Sequence, residues 1–263
     1  MVRGLYSSAA GALVAQATID NVANNLANAA TSGFKRTLLQ VESQPSMELF
    51  RIQTDPGKLP VNRLDGVSVK VPVGRLGSGS QVYDTPTIFD QGQISINGNP
   101  LSFALSGPGF FAVRNGLGQT RYTRDGAFVR AANGSLVTQA GDQVLNRGGN
   151  PIVLPAVGKI EVATDGSINV DGQVTGQIAV TEFNNLVNLR PQGDNDFIDT
   201  NAGARPATGT AIVQGAEEKS NADVVRSIVD LIVAQRWFDT NEKSIQTQND
   251  ATNLAITSVG RTG

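Results

Sequence analysis

The side chains that could carry chemistry in this chain are carboxylates, lysines and tyrosines, because its 263 residues include no histidine and no cysteine. Imidazole and thiolate metal sites, cysteine nucleophiles and Ser-His-Asp triads are therefore excluded. A carboxylate glycosidase would need a convergent acidic pair, and neither Glu161 nor Glu182 in the central region has an obvious partner. Asp125 follows Arg124 directly, which suggests a structural ion pair rather than catalysis. The sequence predicts no catalytic residue.

The motifs that bind cofactors or metals are incomplete. Residues 107–112 match the loose G-x-G-x-x-A pattern, but a Phe-Phe strand follows where a helix N-terminus should receive a pyrophosphate. Acidic residues crowd at 194–199 without the glutamate that a calcium loop carries at its twelfth position. With 21 basic and 23 acidic residues, the chain has no basic excess for a phosphate backbone. We therefore expect no cofactor, no metal, no small-molecule substrate and no nucleic acid as partner.

The positions of the glycines predict which elements hold the remaining residues. Of 29 glycines, 23 lie between Gly66 and Gly215, whereas residues 12–32 and 216–259 contain none. A glycine inside a helix costs up to about 1 kcal/mol relative to alanine, so long helices belong to the glycine-free stretches. The layout predicts an α+β fold in which two long terminal helices pair like a coiled coil around a central antiparallel, all-β domain.

The central region carries repeated turn signals. Asn-Gly and Asp-Gly pairs tolerate the positive φ of hairpin turns, and they occur at 65–66, 97–98, 115–116, 125–126, 133–134, 165–166 and 171–172. Runs typical of strands lie between them, at 110–113, 136–138, 151–154, 160–163, 168–170 and 177–183. Prolines break residues 36–90 into extended, partly irregular structure. Residues 200–210 are predicted as a loop and 215–219 as a hinge into the last helix.

The first helix has two distinct faces. A heptad seam with steps of four and three residues runs through Leu5, Ala9, Ala12, Gln16, Ile19, Ala23, Leu26 and Ala30. On the opposite side lies a stripe of poor helix formers, namely Asn21, Asn24, Asn25 and Asn28. Side-chain amides both donate and accept hydrogen bonds, so this stripe is either a second contact face or a solvated face.

The last helix begins after a capping-box pattern at 220–223 and carries a second seam. The seam consists of Val224, Ile228, Leu231, Gln235, Phe238, Glu242, Ile245, Asn249, Thr252, Ile256 and Val259. One row of it is polar, at Gln235, Glu242 and Asn249, and polar seam residues either set register and partner number or leave the seam wet. Both helices are too long for one small domain and marginal alone, so we expect them to pack on each other and on other copies.

Targeting signals are weak. Ala15-Gln16-Ala17 imitates a signal-peptidase site, but the heptad continues through it, and we expect no cleavage. No stretch approaches the length of about 18 apolar residues that a membrane-spanning helix needs.

Several blocks together resemble bacterial flagellar axial proteins of the rod and hook. The blocks are Asn24-Asn25-Leu26-Ala27-Asn28, Thr31-Ser32-Gly33-Phe34-Lys35, Gly107-Pro108-Gly109-Phe110-Phe111, residues 122–128 and 134–138, Ser220-Asn221, Ala234-Gln235-Arg236-Trp237-Phe238, Asn241, Lys243 and Ile245. They span nearly the whole chain except about residues 36–90. The resemblance, together with the chain length, implies a basal-body rod protein of the hook-basal-body family, of the distal or the proximal type.

The resemblance implies a hollow, torque-transmitting tube in which the paired helices line an export channel. It implies the flagellar basal body, across the periplasm and cell wall, and export by the type III apparatus without a cleaved signal. The expected partners are other copies, other rod proteins, the hook protein and surrounding ring proteins. We divide the chain into an inner-tube helix at 1–35, a linker at 36–90, a β-rich domain at 91–214 and a second inner-tube helix at 215–263.

The expected assembly residues come from both seams, the amide stripe and the resembling blocks. They are Leu5, Ala12, Ile19, Asn24, Asn25, Leu26, Asn28, Phe34, Val224, Ile228, Leu231, Gln235, Arg236, Phe238, Asn241 and Ile245. A secreted β-rich binding module that its helices merely trimerise is the alternative, and the oligomeric state in solution would discriminate between the two.

Overall fold

Two long helices stand at the ends of the chain. The structure is a computed structural model that describes residues 2–45, 47–53, 69–77, 79–155 and 157–260. Helix α1 spans Val2–Ala27 and helix α2 spans Val224–Gly260, with a 3-10 turn at Leu186–Asn188 between them. The cap of α2 is Asp223, which accepts the Arg226 N–H at 3.0 Å, one turn after the predicted Ser220. Neither described helix has the length and hydropathy of a membrane span.

A nine-stranded antiparallel sheet forms the centre of the β-rich region. Its path runs β16-β17-β8-β7-β11-β10-β9, and β15 joins β7 to β18. In chain order its strands are β7 Phe110–Arg114, β8 Thr120–Thr123, β9 Val129–Arg130, β10 Leu136–Val137, β11 Gln143–Val144, β15 Val180–Phe183, β16 Leu189–Gly193, β17 Asp196–Asp199 and β18 Ala204–Pro206. Together with the two helices, this sheet confirms the predicted α+β class.

Smaller antiparallel sheets complete the described strands. Two antiparallel strand pairs lie between residues 40 and 84, namely β1 Gln40–Ser43 with β4 Ser80–Asp84 and β2 Met47–Gln53 with β3 Val69–Leu76. The remaining sheets are β5 Ile94–Ile96 with β20 Ala216–Glu218, β6 Phe103–Ser106 with β19 Ala211–Gln214, and the meander β12 Ile160–Val162, β13 Ser167–Val170 and β14 Gln173–Gln177.

Several of the predicted turns reverse the chain as their sequences require. Asp171 and Gly172 both take positive φ, 51° and 86°, between β13 and β14, as expected for a two-residue hairpin turn. Gly134 and Gly166 also have positive φ in their turns. In the 115–119 loop, Gly118 rather than Gly116 takes the positive φ. The Asp-Gly pair at 65–66 lies outside the described residues.

Two apolar clusters form the core of the β-rich region. The larger contains Phe103, Leu105, Phe111, Val113, Phe128, Leu136, Val144, Ile152, Leu154, Ile168, Val170, Ile178 and Ile212. The smaller contains Phe110, Phe183, Leu189, Phe197 and Ala202, with Phe89 packed against it. Phe110 and Phe111 are neighbours on β7 and point to opposite faces, so this one strand supplies both clusters.

Four segments differ from their predictions. Residues 151–154 form isolated bridges instead of a strand, and 177–183 is divided between β14 and β15. The predicted 200–210 loop contains the short strand β18. The predicted hinge at 215–219 is strand β20, paired with β5, and its Glu218 is buried. Apolar alternation is absent from Ala-Glu-Glu, so local pattern gave no sign of a strand there.

The chain forms two compact units, each assembled from separated stretches. One unit comprises 1–20, 39–84 and 230–263, and the other comprises 21–38 and 85–229. The first unit contains most of both helices and the two antiparallel strand pairs of residues 40–84. The second contains the nine-stranded sheet and the helix ends at 21–27 and 224–229. The boundaries predicted from the sequence run along the chain instead and are not tested by this division.

Candidate assembly surfaces and the buried charged cluster

The two helices pair antiparallel in the first unit through small and polar residues. A Cβ built on Gly4 would lie 2.7 Å from Gln248 Oε1, and one on Gly11 would lie 2.7 Å from Asn241 Oδ1. Between these contacts, the hydroxyls of Ser8 and Ser244 are 3.1 Å apart. Each step forward along α1 equals a step back along α2, so the three contacts define one register.

The observed pairing faces differ from the predicted seams. On α1 the inward positions are Gly4, Ser8, Gly11 and Ala15, each one residue before a predicted seam position. On α2 they include Leu231, Ala234, Phe238, Asn241, Ile245 and Gln248. The predicted row Leu231, Phe238 and Ile245 is at least half-buried. The polar row Gln235, Glu242 and Asn249 is exposed.

Part of the outer surface of the helix pair is apolar. Tyr6 and Leu13 are exposed on α1. On α2 the exposed fraction is 73% for Val225, 49% for Ile232 and 45% for Trp237. Further exposed apolar side chains of α2 are Val224, Ile228, Val229, Val233, Leu254 and Ile256. The pair therefore leaves large apolar side chains exposed, while small and amide residues occupy part of its inward face.

Adding bulk at Gly11 should separate the helices. We expect Gly11→Leu to abolish α1–α2 pairing, because even a Cβ there requires the Asn241 amide to move. Limited proteolysis should then cut both helices at least ten times faster, while the thermal transition of the β-rich unit stays in place. Gln16→Leu, at an exposed position of α1, is the control and should cut at the wild-type rate. Equal cutting of both variants would contradict the contact.

The amide stripe of α1 divides into two pairs in the second unit. Asn25 is buried and binds residue 37 through both amide atoms, accepting the Thr37 N–H at 2.9 Å and donating to the Thr37 carbonyl at 2.8 Å. Asn21 donates to the Thr37 hydroxyl at 2.7 Å. Asn24 and Asn28 instead line a polar groove of about 710 Å³ together with Phe34.

The remaining predicted assembly residues lie at the surface or half-buried. Those exposed in the chain are Val224, Ile228, Gln235 and Arg236. Those half-buried are Leu5, Ala12, Ile19, Leu26, Phe34, Leu231, Phe238, Asn241 and Ile245. Asn25 differs from all of these, because it is buried and both atoms of its amide bind Thr37 of the same chain. Its structural role is to hold the chain segment that follows α1.

A charged cluster is buried where the segment after α1 meets the segment before α2. The Glu218 carboxylate accepts from Lys35 Nζ at 2.5 Å, from the Gly92 N–H at 2.7 Å and from Arg124 Nη1 at 3.3 Å. The side-chain exposures of Lys35, Glu218 and Arg124 are 0%, 0% and 2%. Arg124 also lies over the Phe110 ring, 4.7 Å from its centroid. Burial lowers the pKa of Lys35, and the charge of Glu218 opposes that shift.

This cluster changes the expectation for Arg124 and Asp125. Arg124 pairs with Glu218, far away in sequence, while the Asp125 carboxylate accepts the Ala127 N–H at 3.0 Å as a turn. The two other acidic residues considered for catalysis have cationic partners. Glu161 pairs with Lys159 at 2.7 Å on the surface, and Glu182 pairs with Arg205 at 3.3 Å. No group of three metal-ligating side chains converges among the described residues.

Comparison with known proteins identifies the family. Residues 104–176 match the family model described as the D1 domain of the flagellar hook protein FlgE/F/G, and residues 213–256 match the C-terminal model of the flagellar basal body rod FlgEFG protein. The chain is 33% identical to the flagellar basal-body rod protein FlgF of Caulobacter vibrioides, with 99% of both chains covered. The chain belongs to the flagellar basal-body rod protein family.

Two further relatives of the rod protein family have the same extent. The flagellar basal-body rod protein FlgG of Bacillus subtilis is 33% identical, and that of Buchnera aphidicola is 31% identical. In both cases 95% of this chain and 96% of the relative are covered. The similarity to both FlgF and FlgG agrees with the resemblance found in the sequence blocks. A structural role in the flagellar basal body follows for this chain.

The blocks that resemble the rod protein family meet at the charged cluster. Lys35 comes from the block at 31–35, Arg124 from the block at 122–128 and Asn221 from the block at 220–221. Sequence reasoning missed Glu218, which joins Lys35 to Arg124. A signal was present, because two cationic residues sit within otherwise apolar or turn-forming blocks and a buried cation requires an anion.

A second charged group, formed by Arg121, Asp142 and Asp196, leads us to expect that the stability of this rod protein depends on pH. Burial, and then a hydrogen bond that the protonated Asp196 carboxyl donates to Asp142, raise the pKa of Asp196 to about 7, which Arg121 at 3.6 Å opposes. The folded state therefore holds this proton more tightly than the unfolded state. Its contribution to stability should fall as the pH rises from about 4 to about 7 and level off above that.

We expect Asp196→Asn to remove this decline. The unfolding free energy of the variant minus that of the wild type should therefore be higher at pH 8 than at pH 4.5, by on the order of 2 kcal/mol. Urea denaturation across this range measures the difference. Asp194→Asn makes the same chemical change at an exposed position of the same turn and should follow the wild-type profile. Parallel profiles for Asp196→Asn and the wild type would contradict the assignment.

Proposed function

We propose that this rod protein polymerises helically through the outer, apolar surface of its paired helices into a hollow shaft. The observation that supports the proposal is the set of large apolar side chains that the paired helices leave exposed. The small and polar residues of the two helices are used within the chain, so pairing leaves Val225, Ile232 and Trp237 exposed. Each such side chain contributes about 1.5–3 kcal/mol when fully buried, and other copies of the same helix pair provide the apolar surface to bury it.

The mode of assembly follows from the shape of this surface. The apolar residues extend over four turns of α2, from Val224 to Trp237, and recur near its end at Leu254 and Ile256. A contact between different patches on neighbouring copies does not close on itself and generates a filament. A filament of helix pairs arranged around an axis leaves a channel for export and transmits torque along its length.

The groove beside α1 is a second proposed contact between copies. It is lined by Asn24, Asn28 and Phe34, three residues that the sequence analysis assigned to assembly. Of the amide stripe, Asn24 and Asn28 remain in this proposal, and Asn25 does not because its amide binds Thr37.

Exposed aromatic and arginine side chains are enriched in protein interfaces, and Arg236 and Trp237 provide both on α2.

The proposed partners and location follow from the family. The partners are other copies, other rod proteins, the hook protein above and the rings around the shaft. The proposed location within the basal body spans the periplasm and cell wall, reached by type III export without signal cleavage. We propose no catalytic activity, because the acidic residues considered above are ion-paired or part of turns.

The experiment that tests the proposal is concentration-dependent assembly of the purified full chain. Analytical ultracentrifugation and electron microscopy should show a monomer that forms filaments as its concentration rises. A closed trimer that forms no filament would contradict the proposal and favour the binding-module alternative. Complementation of a deletion strain of the bacterium that makes this chain adds an independent readout. The wild-type gene should restore motility, and the chain should be recovered in purified basal bodies.

A further inference from the structure

Three separated segments cross at the buried charged cluster of the second unit. The segment after α1 contributes the Gly33 N–H, which donates to the Glu218 carbonyl at 2.8 Å. The segment before β5 contributes the Asp90 carbonyl, which accepts from Lys35 Nζ at 2.8 Å. The third segment is β20, which leads into α2. Glu218 therefore connects the end of one helix to the start of the other.

Asn221, three residues after Glu218 and closer to α2 in the sequence, makes a second connection between the same segments. Its side-chain oxygen accepts the Arg36 N–H at 2.8 Å, and its side-chain nitrogen donates to the carbonyls of Ile88 and Asp90 at 2.8 and 3.0 Å. The same three segments are joined by both residues. Each of these bonds has a preferred direction, since the donor hydrogen tends to lie near the plane of the accepting carbonyl or carboxylate.

The close approach of the backbones leaves no freedom in this crossing. A Cβ on Gly92 would lie 1.9 Å from the Lys219 carbonyl oxygen, and one on Gly33, at φ 69°, would lie 2.3 Å from the Asp125 nitrogen. Both contacts are with backbone, which side-chain rotation does not relieve. The segments therefore pass each other in direct backbone contact at this point.

If stabilising the fold were its only role, a buried charged cluster would be an inefficient way to do so. It buries two cations, Lys35 and Arg124, against the single carboxylate of Glu218, and Arg124 Nε has no hydrogen-bond partner among the described residues. Apolar residues of similar volume are often as stabilising as a buried ionic triad, or more so, because they avoid desolvation. What apolar contacts do not supply is a unique geometry.

We propose that Lys35, Arg124 and Glu218 form a positioning joint that fixes the directions of the helix ends at 21–27 and 224–229 relative to the β-rich body within the second unit. The helix ends at 21–27 and 224–229 belong to this unit and lie next to the joint in sequence. The proposal does not depend on assembly, because it concerns the geometry of the single subunit. An apolar replacement should therefore fold and yet lose the fixed directions.

The test uses distances between spin labels in the full-length monomer. The chain has no cysteine, so pairs of introduced cysteines carry the labels without further changes. One pair joins Ala23 on α1 to Leu117 on the body, and another joins Val225 on α2 to Leu117. A third pair, Leu117 with Val153, reports on the body alone. All four positions are exposed.

The decisive variant is K35M/R124M/E218L. We expect its unfolding temperature to stay within a few degrees of the wild type, and the two helix-to-body distance distributions to become at least twice as wide. The Leu117–Val153 distribution should not change. K159M/E161L replaces a surface ion pair in the same way and should leave all three distributions narrow. A folded triple variant with unchanged helix-to-body distributions would overturn the proposal.

Hydrogen exchange of the wild-type chain decides the matter if the triple variant fails to fold. The joint predicts that the N–H groups of Gly33, Arg36 and Gly92 exchange as slowly as those of the core strand β7. The helix amides at 224–229 should exchange faster than those three groups. Exchange of Gly33, Arg36 and Gly92 at the rate of exposed turns would overturn the proposal, because a joint that opens freely fixes no direction.

Discussion

Ile232→Asp should abolish filament assembly and motility while leaving the unfolding temperature of the monomer unchanged. Ile232 is half-exposed on the outer surface of α2, where a charged side chain meets water in the monomer. In a filament the same position would bury an unpaired carboxylate, which costs several kcal/mol in addition to the lost apolar burial of about 1.5–3 kcal/mol. The cost recurs at every subunit, so its effect on a filament is large.

The controls separate assembly from folding. Ile232→Leu keeps the apolar volume and should assemble at wild-type concentrations. Sedimentation of the purified chains measures the critical concentration, and swarming in soft agar measures motility. A rise in critical concentration of at least a hundredfold is expected for Ile232→Asp alone. Normal filaments from this variant would show that the outer surface of α2 at Ile232 is not a contact between copies.

Gly126→Ala should strongly destabilise the β-rich unit. A Cβ on Gly126 would lie 1.7 Å from the Phe103 carbonyl oxygen and 3.2 Å from the Phe111 ring. The Gly126 carbonyl also accepts the N–H groups of Phe103 and Phe128, at 3.0 and 2.9 Å, so the backbone has no room to retreat. We expect a loss of about 3 kcal/mol or more, a large fraction of the stability of an ordinary domain.

The matched control is Gly116→Ala in the loop between β7 and β8. A Cβ on Gly116 meets no atom within 4 Å, so this substitution should change the unfolding free energy by less than about 0.5 kcal/mol. Circular dichroism with urea denaturation compares both variants with the wild type. Native-like stability of Gly126→Ala would mean that the turn at 125–127 moves away from Phe103.

Local sequence patterns predicted the elements whose formation depends on neighbouring residues. The glycine-free ends became α1 and α2, and the Asp171-Gly172 pair became a two-residue hairpin turn. Phe110 and Phe111 were recognised as a strand, and they supply both core clusters. In these cases the conformation follows from intrinsic preference and from short-range geometry, both of which are written in adjacent residues.

Patterns that require a partner far along the chain were assigned less well. The seam of α1 was placed one residue too late, because Gly4, Ser8 and Gly11 do not score as apolar. The small side chains of these residues leave room for the amides of α2, and this need cannot be recognised until the two helices pack together. In the same way, Asn25 was assigned to contacts between copies, while its partner is Thr37 of its own chain.

The absence of histidine and cysteine, the helix-strand-helix layout and the family were determined by the sequence alone, because composition, local preference and motif blocks need no coordinates. Only the tertiary structure decided which helix face turns inward and that Glu218 joins Lys35 to Arg124. The physical reason is that both depend on long-range contacts. A glutamate is written in the same way in the sequence whether its carboxylate is buried or exposed. Only the folded chain places two cations beside the carboxylate of Glu218.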